Sequence, residues 1–315
     1  MKLKDILFWG IAAGIGAIAY YQNRDTADEC AKDMSREALR IVGIKIADDS
    51  INFNSSLEHI VQNPDEDIIE LGKVTFSNKI EDIPENPGIP ETVRKLSENL
   101  VMTGRVLKPE YAGSDTWSVS KLGVGLLISP GYAVSSMHHL AVGPEDESPA
   151  ILHKGKFYSA DVVAASRQYD VALFRLDEQI QGISPVKLIN ERCLSYGDKL
   201  YLPTQANESK VKFRYSQGSL QTVGKVEVSS EIKRGKFNRM HSYSDNSSLG
   251  HFYRTVVITD IPVRKYMSGS PLAAANGSLA GIAVKGDETG TWAAPASAAY
   301  KLIQLYKGKL KEMKK

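Results

Sequence analysis

Thr259-Asp260-Ile261-Pro262-Val263-Arg264-Lys265-Tyr266-Met267-Ser268-Gly269-Ser270-Pro271-Leu272 is the stretch on which the reading of this chain turns. It sits between two β-type runs, Thr255 to Ile258 and Leu279 to Val284. Gly269 permits a tight bend and Pro271-Leu272 opens the next extended segment. A serine held on such a turn is a candidate nucleophile, but its hydroxyl reacts only when a neighbouring base takes the proton. Taken singly, the turn is an ordinary surface feature, so the chain has to supply the base elsewhere.

Two upstream stretches supply the missing groups. In Gly123-Val124-Gly125-Leu126-Leu127-Ile128-Ser129-Pro130-Gly131-Tyr132-Ala133-Val134-Ser135-Ser136-Met137-His138, two strands joined by a Pro-Gly turn lead into His138. A general base needs a rigid seat of that kind, because its imidazole must come within hydrogen-bond distance of the nucleophile. His138 and His139 adjoin, but neighbouring residues on an extended chain point oppositely, which argues against one shared metal. In Ala160 to Asp177, Asp170 stands immediately before the apolar strand Val171-Ala172-Leu173-Phe174. A carboxylate there can accept the Nδ1–H of the base, fix its tautomer and stabilise the imidazolium. The order His138, Asp170, Ser268 differs from that of subtilisins and α/β-hydrolases, and no Gly-x-Ser-x-Gly elbow surrounds Ser268.

Working outward, the chain from Asn99 reads as many short strands. Leu100 to Leu107, Gly123 to Ser129, Tyr132 to Ser136, Ala160 to Ala164, Val171 to Leu176, Leu200 to Leu202 and Val223 to Val228 are β-branched or alternating runs, most of them separated by Gly, Pro, Asn or Asp. Helical spacing appears near the end, in Ser297 to Lys309, with Leu302, Ile303 and Tyr306 on one face. This pattern predicts an all-β barrel or sandwich.

On these motifs the chain resembles the HtrA/Deg group of trypsin-like serine proteases. Gly123 to Leu140, Ala160 to Asp177 and Thr259 to Leu272 are similar to that family's His-, Asp- and Ser-bearing motifs. Asn276 to Ile282 and Trp292-Ala293-Ala294-Pro295 echo its following strands. The resemblance covers about Asn99 to Lys309 and implies two perpendicular six-stranded β-barrels, chymotrypsin-like, with a C-terminal helix. It implies a catalytic triad of His138, Asp170 and Ser268, a polypeptide substrate, and no metal or organic cofactor. It also implies an oxyanion hole made by the backbone N–H groups of Ser268 and Tyr266. Unlike many members of that group, the chain is expected to carry no PDZ-like module after residue 309.

Two departures matter. Arg264-Lys265-Tyr266-Met267 stands where the family has Asn-Pro-Gly-Asn, so tyrosine replaces the oxyanion-hole glycine. Glycine reaches backbone angles that tyrosine reaches only with strain, and losing one such donor costs about 2.7–4 kcal/mol of transition-state stabilisation. The expected serine endopeptidase is therefore set against two alternatives: a protease latent until a partner reshapes residues 264–267, and an impaired pseudoprotease serving as a peptide-binding or scaffold module. The second departure is the polar stretch Ser229 to Gly250, which reads as a loop.

The 315 residues carry 42% hydrophobic and 24% charged side chains and a formal net charge of +2, values that single out no nucleic-acid partner. At the N-terminus, Lys2 and Lys4 precede an uncharged run from Ile6 to Tyr21. As a helix it reaches roughly 24 Å, enough for a short membrane anchor or a secretory signal. Residues 1–24 are thus expected to be an N-terminal apolar helix serving as membrane anchor or signal segment, residues 25–98 an appended segment and linker, 99–309 the protease domain and 310–315 a basic tail. The domain is expected outside the cytoplasm, membrane-anchored or exported. Asp28 to Ile46 has near-helical spacing, and Cys30 and Cys193 pair only if geometry allows. Oligomeric state is not written in the sequence.

Overall fold

The computed structural model describes residues 50–51, 64–79, 88–107, 116–139, 148–206, 211–216, 219–222, 229–247 and 250–315, and residues 50–315 form one compact unit. The N-terminal apolar run, the Asp28 to Ile46 pattern, Cys30 and the Val223 to Val228 run lie outside the described residues. Among the described residues no helix is long and apolar enough to cross a membrane.

Six antiparallel strands close the first barrel: β3 (Leu100–Leu107), β4 (Thr116–Ser129), β5 (Tyr132–Ser136), β6 (Ser148–His153), β7 (Lys156–Ser166) and β8 (Val171–Leu176). They run in the order β4-β3-β6-β7-β8-β5, and β5 pairs back onto β4. β1 (Ser50–Ile51) pairs with β7 from outside this ring. Closure leaves the ring without an edge. β5 and β8 are buried along nearly their whole length, which explains why both read as continuous apolar runs. Val101, Leu127, Ala133, Ile151, Ala172 and Phe174 fill this barrel.

The second barrel closes the same way from β10 (Lys199–Ala206), β13 (Ser229–Ser247), β14 (Gly250–Thr259), β15 (Pro271–Ala274), β16 (Leu279–Asp287) and β17 (Gly290–Pro295). Its order is β15-β10-β13-β14-β17-β16, with β15 pairing back onto β16. β9 (Lys187–Ile189) and β2 (Thr75–Ser77) extend β16 in parallel. β11 (Val211–Ser216) and β12 (Ser219–Thr222) reach back to the first barrel through β4. Two closed six-stranded barrels are the architecture the resemblance implies.

The largest core joins the barrels to the helices. It draws Val124, Leu126 and Val134 from the first barrel and Ala273, Leu279 and Ile282 from the second. Helix α3 (Ala296–Met313), the helix expected from the sequence, lays Ala299, Leu302, Ile303, Tyr306 and Leu310 onto it at helical spacing. The Glu191 carboxylate meets the first turn of α3, accepting from Ser297 Oγ at 2.7 Å, where the helix dipole favours an anion.

Three features depart from the sequence reading. Ser229 to Ser247 is a 19-residue strand rather than a loop. Its backbone pairs with β10 on one side and β14 on the other, and only Phe237 is buried among its described side chains, so no period-two apolar signal marks it. Helix α3 runs through Leu310, fully buried, into the stretch read as a tail. Helices α1 (Pro64–Gly72) and α2 (Glu91–Ser97), within the stretch read as an appended segment, contribute Leu71 and Leu96 to the main core. Cys193 is a free thiol whose Sγ donates to the Asn78 carbonyl.

Candidate active site

Register brings His138 to Asp170. β5 and β8 pair with Ser136 opposite Val171, so the residues just past β5 face the residue just before β8. The Met137 N–H donates to the Asp170 carbonyl at 2.9 Å, extending that ladder by one step. The chain then turns in a short 3₁₀ segment, Met137–His139. There the His138 N–H donates to Asp170 Oδ1 at 2.8 Å, and His138 Nδ1 lies 2.6 Å from Asp170 Oδ2. One carboxylate therefore grips both the backbone and the ring of the same histidine.

An ionised carboxylate only accepts, so facing one Nδ1 is the donor, which in a neutral ring leaves the lone pair on Nε2. The Asp170 side chain is 7% exposed while that of His138 is 29% exposed. The carboxylate is shielded and the imidazole remains reachable. Asp170 has φ 57°, in the left-handed region, which Asp enters more readily than most residues.

The Ser268 turn is anchored to both barrels. The Ser268 carbonyl accepts from the Val124 N–H on β4 at 2.8 Å. On the other side, the Gly269 N–H donates to the Ala283 carbonyl at 2.7 Å, and the Ala283 N–H donates to the Ser270 carbonyl at 2.9 Å. Gly269 has φ 88°, and a Cβ there would overlap the Val124 carbonyl oxygen and Ser135 Oγ. Only glycine fits. The serine turn thus lies against β4 and β5, the hairpin that leads into His138.

Two supporting contacts carried no sequence signal. Ser135 Oγ, buried, donates to the Val124 carbonyl at 2.6 Å, so it braces the strand that holds Ser268. Ser270 Oγ donates to Thr204 Oγ1 at 2.7 Å, and both residues are fully buried. Ser135 and Ser270 lie within the His- and Ser-bearing motifs, but no spacing in them announces that their hydroxyls bond the Val124 carbonyl and Thr204.

Tyr266 has φ 73°. The backbone therefore takes a glycine-type conformation although the residue is tyrosine, at a cost of roughly 1–2 kcal/mol. Among the described residues, neither the Tyr266 N–H nor the Ser268 N–H donates a hydrogen bond within the protein. Those are the two groups the resemblance names as the oxyanion hole. The Lys265 ammonium lies 5.2 Å from the centre of the Tyr266 ring.

Beside Ser268 opens a pocket of about 240 Å³, lined by residues 263–265, 267–268 and 283–286. Val263, Met267, Ala283 and Val284 are its buried apolar lining, and Arg264, Lys265 and Lys285 are its exposed cations.

Comparison with known proteins agrees with this fold. The trypsin-like peptidase domain family model matches residues 123–282, just over half of the chain and inclusive of His138, Asp170 and Ser268. Among solved structures, the Rv3671c protease of M. tuberculosis in its active form is similar at 17% identity and a TM-score of 0.50, over 71% of this chain and 92% of that one. A serine-to-alanine mutant of Rv3671c from M. tuberculosis H37Rv, in an inactive form, matches at 15% identity and a TM-score of 0.50, over 73% and 97%. Identities this low speak for the fold alone. No curated protein matches the sequence.

Proposed function

The chain belongs to the trypsin-like peptidase family, and we propose that it is a serine endopeptidase acting on polypeptides. The observation that carries this reading is the Asp170 carboxylate on His138 Nδ1, together with a serine turn bonded to both barrels and held against the hairpin that leads into His138. In the proposed reaction Ser268 Oγ attacks the scissile carbonyl carbon while His138 Nε2 takes its proton. Asp170 stabilises the resulting imidazolium. The carbonyl oxygen, now negative, accepts from the N–H groups of Ser268 and Tyr266, which no protein group engages among the described residues. Collapse expels the amine, which receives the proton from His138. Water then cleaves the acyl-enzyme by the same route.

In this reading the left-handed Tyr266 is strained but its donor is in place. A second reading rests on the same residue: a tyrosine at φ 73° is conformationally expensive, and a barrel whose hole fails would bind peptides without cutting them, permanently or until a partner reshapes residues 264–267. Digestion of a denatured protein substrate separates them. The endopeptidase reading expects cleavage that disappears in Ser268→Ala. Binding without cleavage by the wild type overturns it in favour of the second.

We further propose that the apolar run Ile6 to Tyr21 holds this activity at a membrane, with the barrels outside the cytoplasm. Carbonate-washed membranes should retain the full chain and release a chain lacking residues 1–24; release of both contradicts the anchor.

A further inference from the structure

The pocket beside Ser268 has an electrostatic character that the resemblance does not supply. Three cationic side chains line it, from two segments: Arg264 and Lys265 from the loop before the serine, and Lys285 from β16. No carboxylate lines it. Among the described residues none of the three is ion-paired. Of the acids that flank the lining segments, Glu288 is exposed, and Asp260 and Asp287 each turn an oxygen to a backbone N–H. Asp260 Oδ1 accepts from the Lys236 N–H at 2.6 Å, and Asp287 Oδ1 accepts from the Thr289 N–H at 2.7 Å.

The positions of two of the cations are partly fixed by aromatic rings. Lys265 Nζ stands 5.2 Å from the Tyr266 ring centre and Lys285 Nζ stands 5.4 Å from that of Trp292. A ring face holds a cation without neutralising it, so the positive potential survives for a ligand. Val263, Met267, Ala283 and Val284 supply apolar wall for a methylene stem.

We propose that this pocket selects an acidic side chain on the residue that contributes the scissile carbonyl, with Arg264, Lys265 and Lys285 as the specificity-determining residues. The inference rests on the endopeptidase reading for its catalytic consequence, though selectivity in binding stands apart from it. A carboxylate carried on an apolar stem matches the pocket at both ends. A Lys or Arg side chain meets uncompensated like charge there.

The test uses the full chain and peptidyl phosphonate probes that differ only in the side chain before the reacting phosphorus: Glu, Gln, Leu or Lys. The Glu probe should label Ser268 at least about tenfold faster than its Gln isostere, the ratio that one hydrogen bond to a charged group supplies. That ratio should shrink as salt rises. The double variant Arg264→Glu with Lys285→Glu should reverse the order in favour of Lys. Faster labelling by the Leu or Lys probe of the wild type overturns the inference while leaving the endopeptidase reading intact. In parallel, Ser268→Ala protein is titrated by calorimetry with peptide amides ending in Glu, Gln or Lys. Glu-selective binding with no labelling by any probe upholds the pocket assignment and removes the endopeptidase reading. Binding that does not favour Glu overturns the pocket assignment, whatever the probes do.

Discussion

Two non-glycine residues of the candidate site sit in the left-handed region, and they are held there by different means. Asp170, at φ 57°, gives its carbonyl to Met137 and both carboxylate oxygens to His138. Its backbone conformation is over-determined by the bonds it makes. Tyr266, at φ 73°, has no such return: among the described residues its N–H donates to nothing in the protein. Its conformation is imposed by its neighbours, through Met267 N–H on the Arg264 carbonyl and Gly269 N–H on that of Ala283. The comparison teaches that one side of the site is locked by its own chemistry. The other is strained and held open, as a group must be if its donor is to meet a substrate.

Breaking the locked side should have the largest effect. Asp170→Asn keeps the shape but presents a donor where His138 Nδ1–H needs an acceptor. Cleavage should fall on the order of 10⁴-fold in kcat, with little change in KM. A loss below tenfold would mean that the clasp does not orient a working base. Next comes the support beneath the strained side. Gly269→Ala forces a Cβ into the Val124 carbonyl oxygen at a left-handed φ, and should cost about 3 kcal/mol in denaturant unfolding. A near-neutral result would show that the serine turn is not wedged against β4.

Tyr266→Gly addresses the strained side itself. Relief of the left-handed tyrosine should stabilise the protein by about 1 kcal/mol, part of the relief being lost to the freer unfolded chain. Reactivity of Ser268 should stay within severalfold of wild type, because in the endopeptidase reading the Tyr266 N–H already serves as a donor. A hundredfold gain in reactivity would instead assign latency or decay to this residue.

The smallest expected effect lies on the first-barrel side and is pH-dependent. Burial holds the imidazole of His153 below its ordinary 6.5, only partly offset by its hydrogen bond to the Leu100 carbonyl. The unfolded chain then takes up a proton near pH 6.5 while the folded chain waits for a lower pH. The stability linked to this group is thus full above pH 6.5 and lost as pH falls through the depressed folded value. Urea midpoints should drop between pH 7 and pH 5 in the wild type and drop less in His153→Gln. Equal slopes would remove His153 as a source of acid sensitivity.

What could be read without coordinates follows from where the signal is stored. β5 and β8 were legible because a strand buried on both faces must be apolar throughout, and Pro130-Gly131 marks the turn that opens β5. The contact between His138 and Asp170 was legible because each sits next to the end of such a strand, and Ser268 was marked as a candidate by the turn that precedes β15. Strand β13 was not, since its pairing uses backbone groups that every residue carries. Helices α1 and α2 are nine and seven residues long, short enough that packing of Leu71 and Leu96 rather than propensity decides them. The sequence marks Tyr266 as a departure, yet its left-handed backbone and uncommitted N–H are properties of the folded turn. The bracing by Ser135 depends on how the β4–β5 hairpin pairs, and the Ser270–Thr204 pair on residues far apart in the chain; no local pattern announces either.

The most direct measurement is intact-mass and peptide-mapping analysis of the full chain after exposure to a fluorophosphonate. A single adduct on Ser268, absent from Ser268→Ala and strongly slowed in His138→Ala and Asp170→Asn, is the expected result. Folded wild-type protein that takes up no adduct, or takes it up on another residue with Ser268 untouched, would contradict a nucleophile activated by His138 and Asp170.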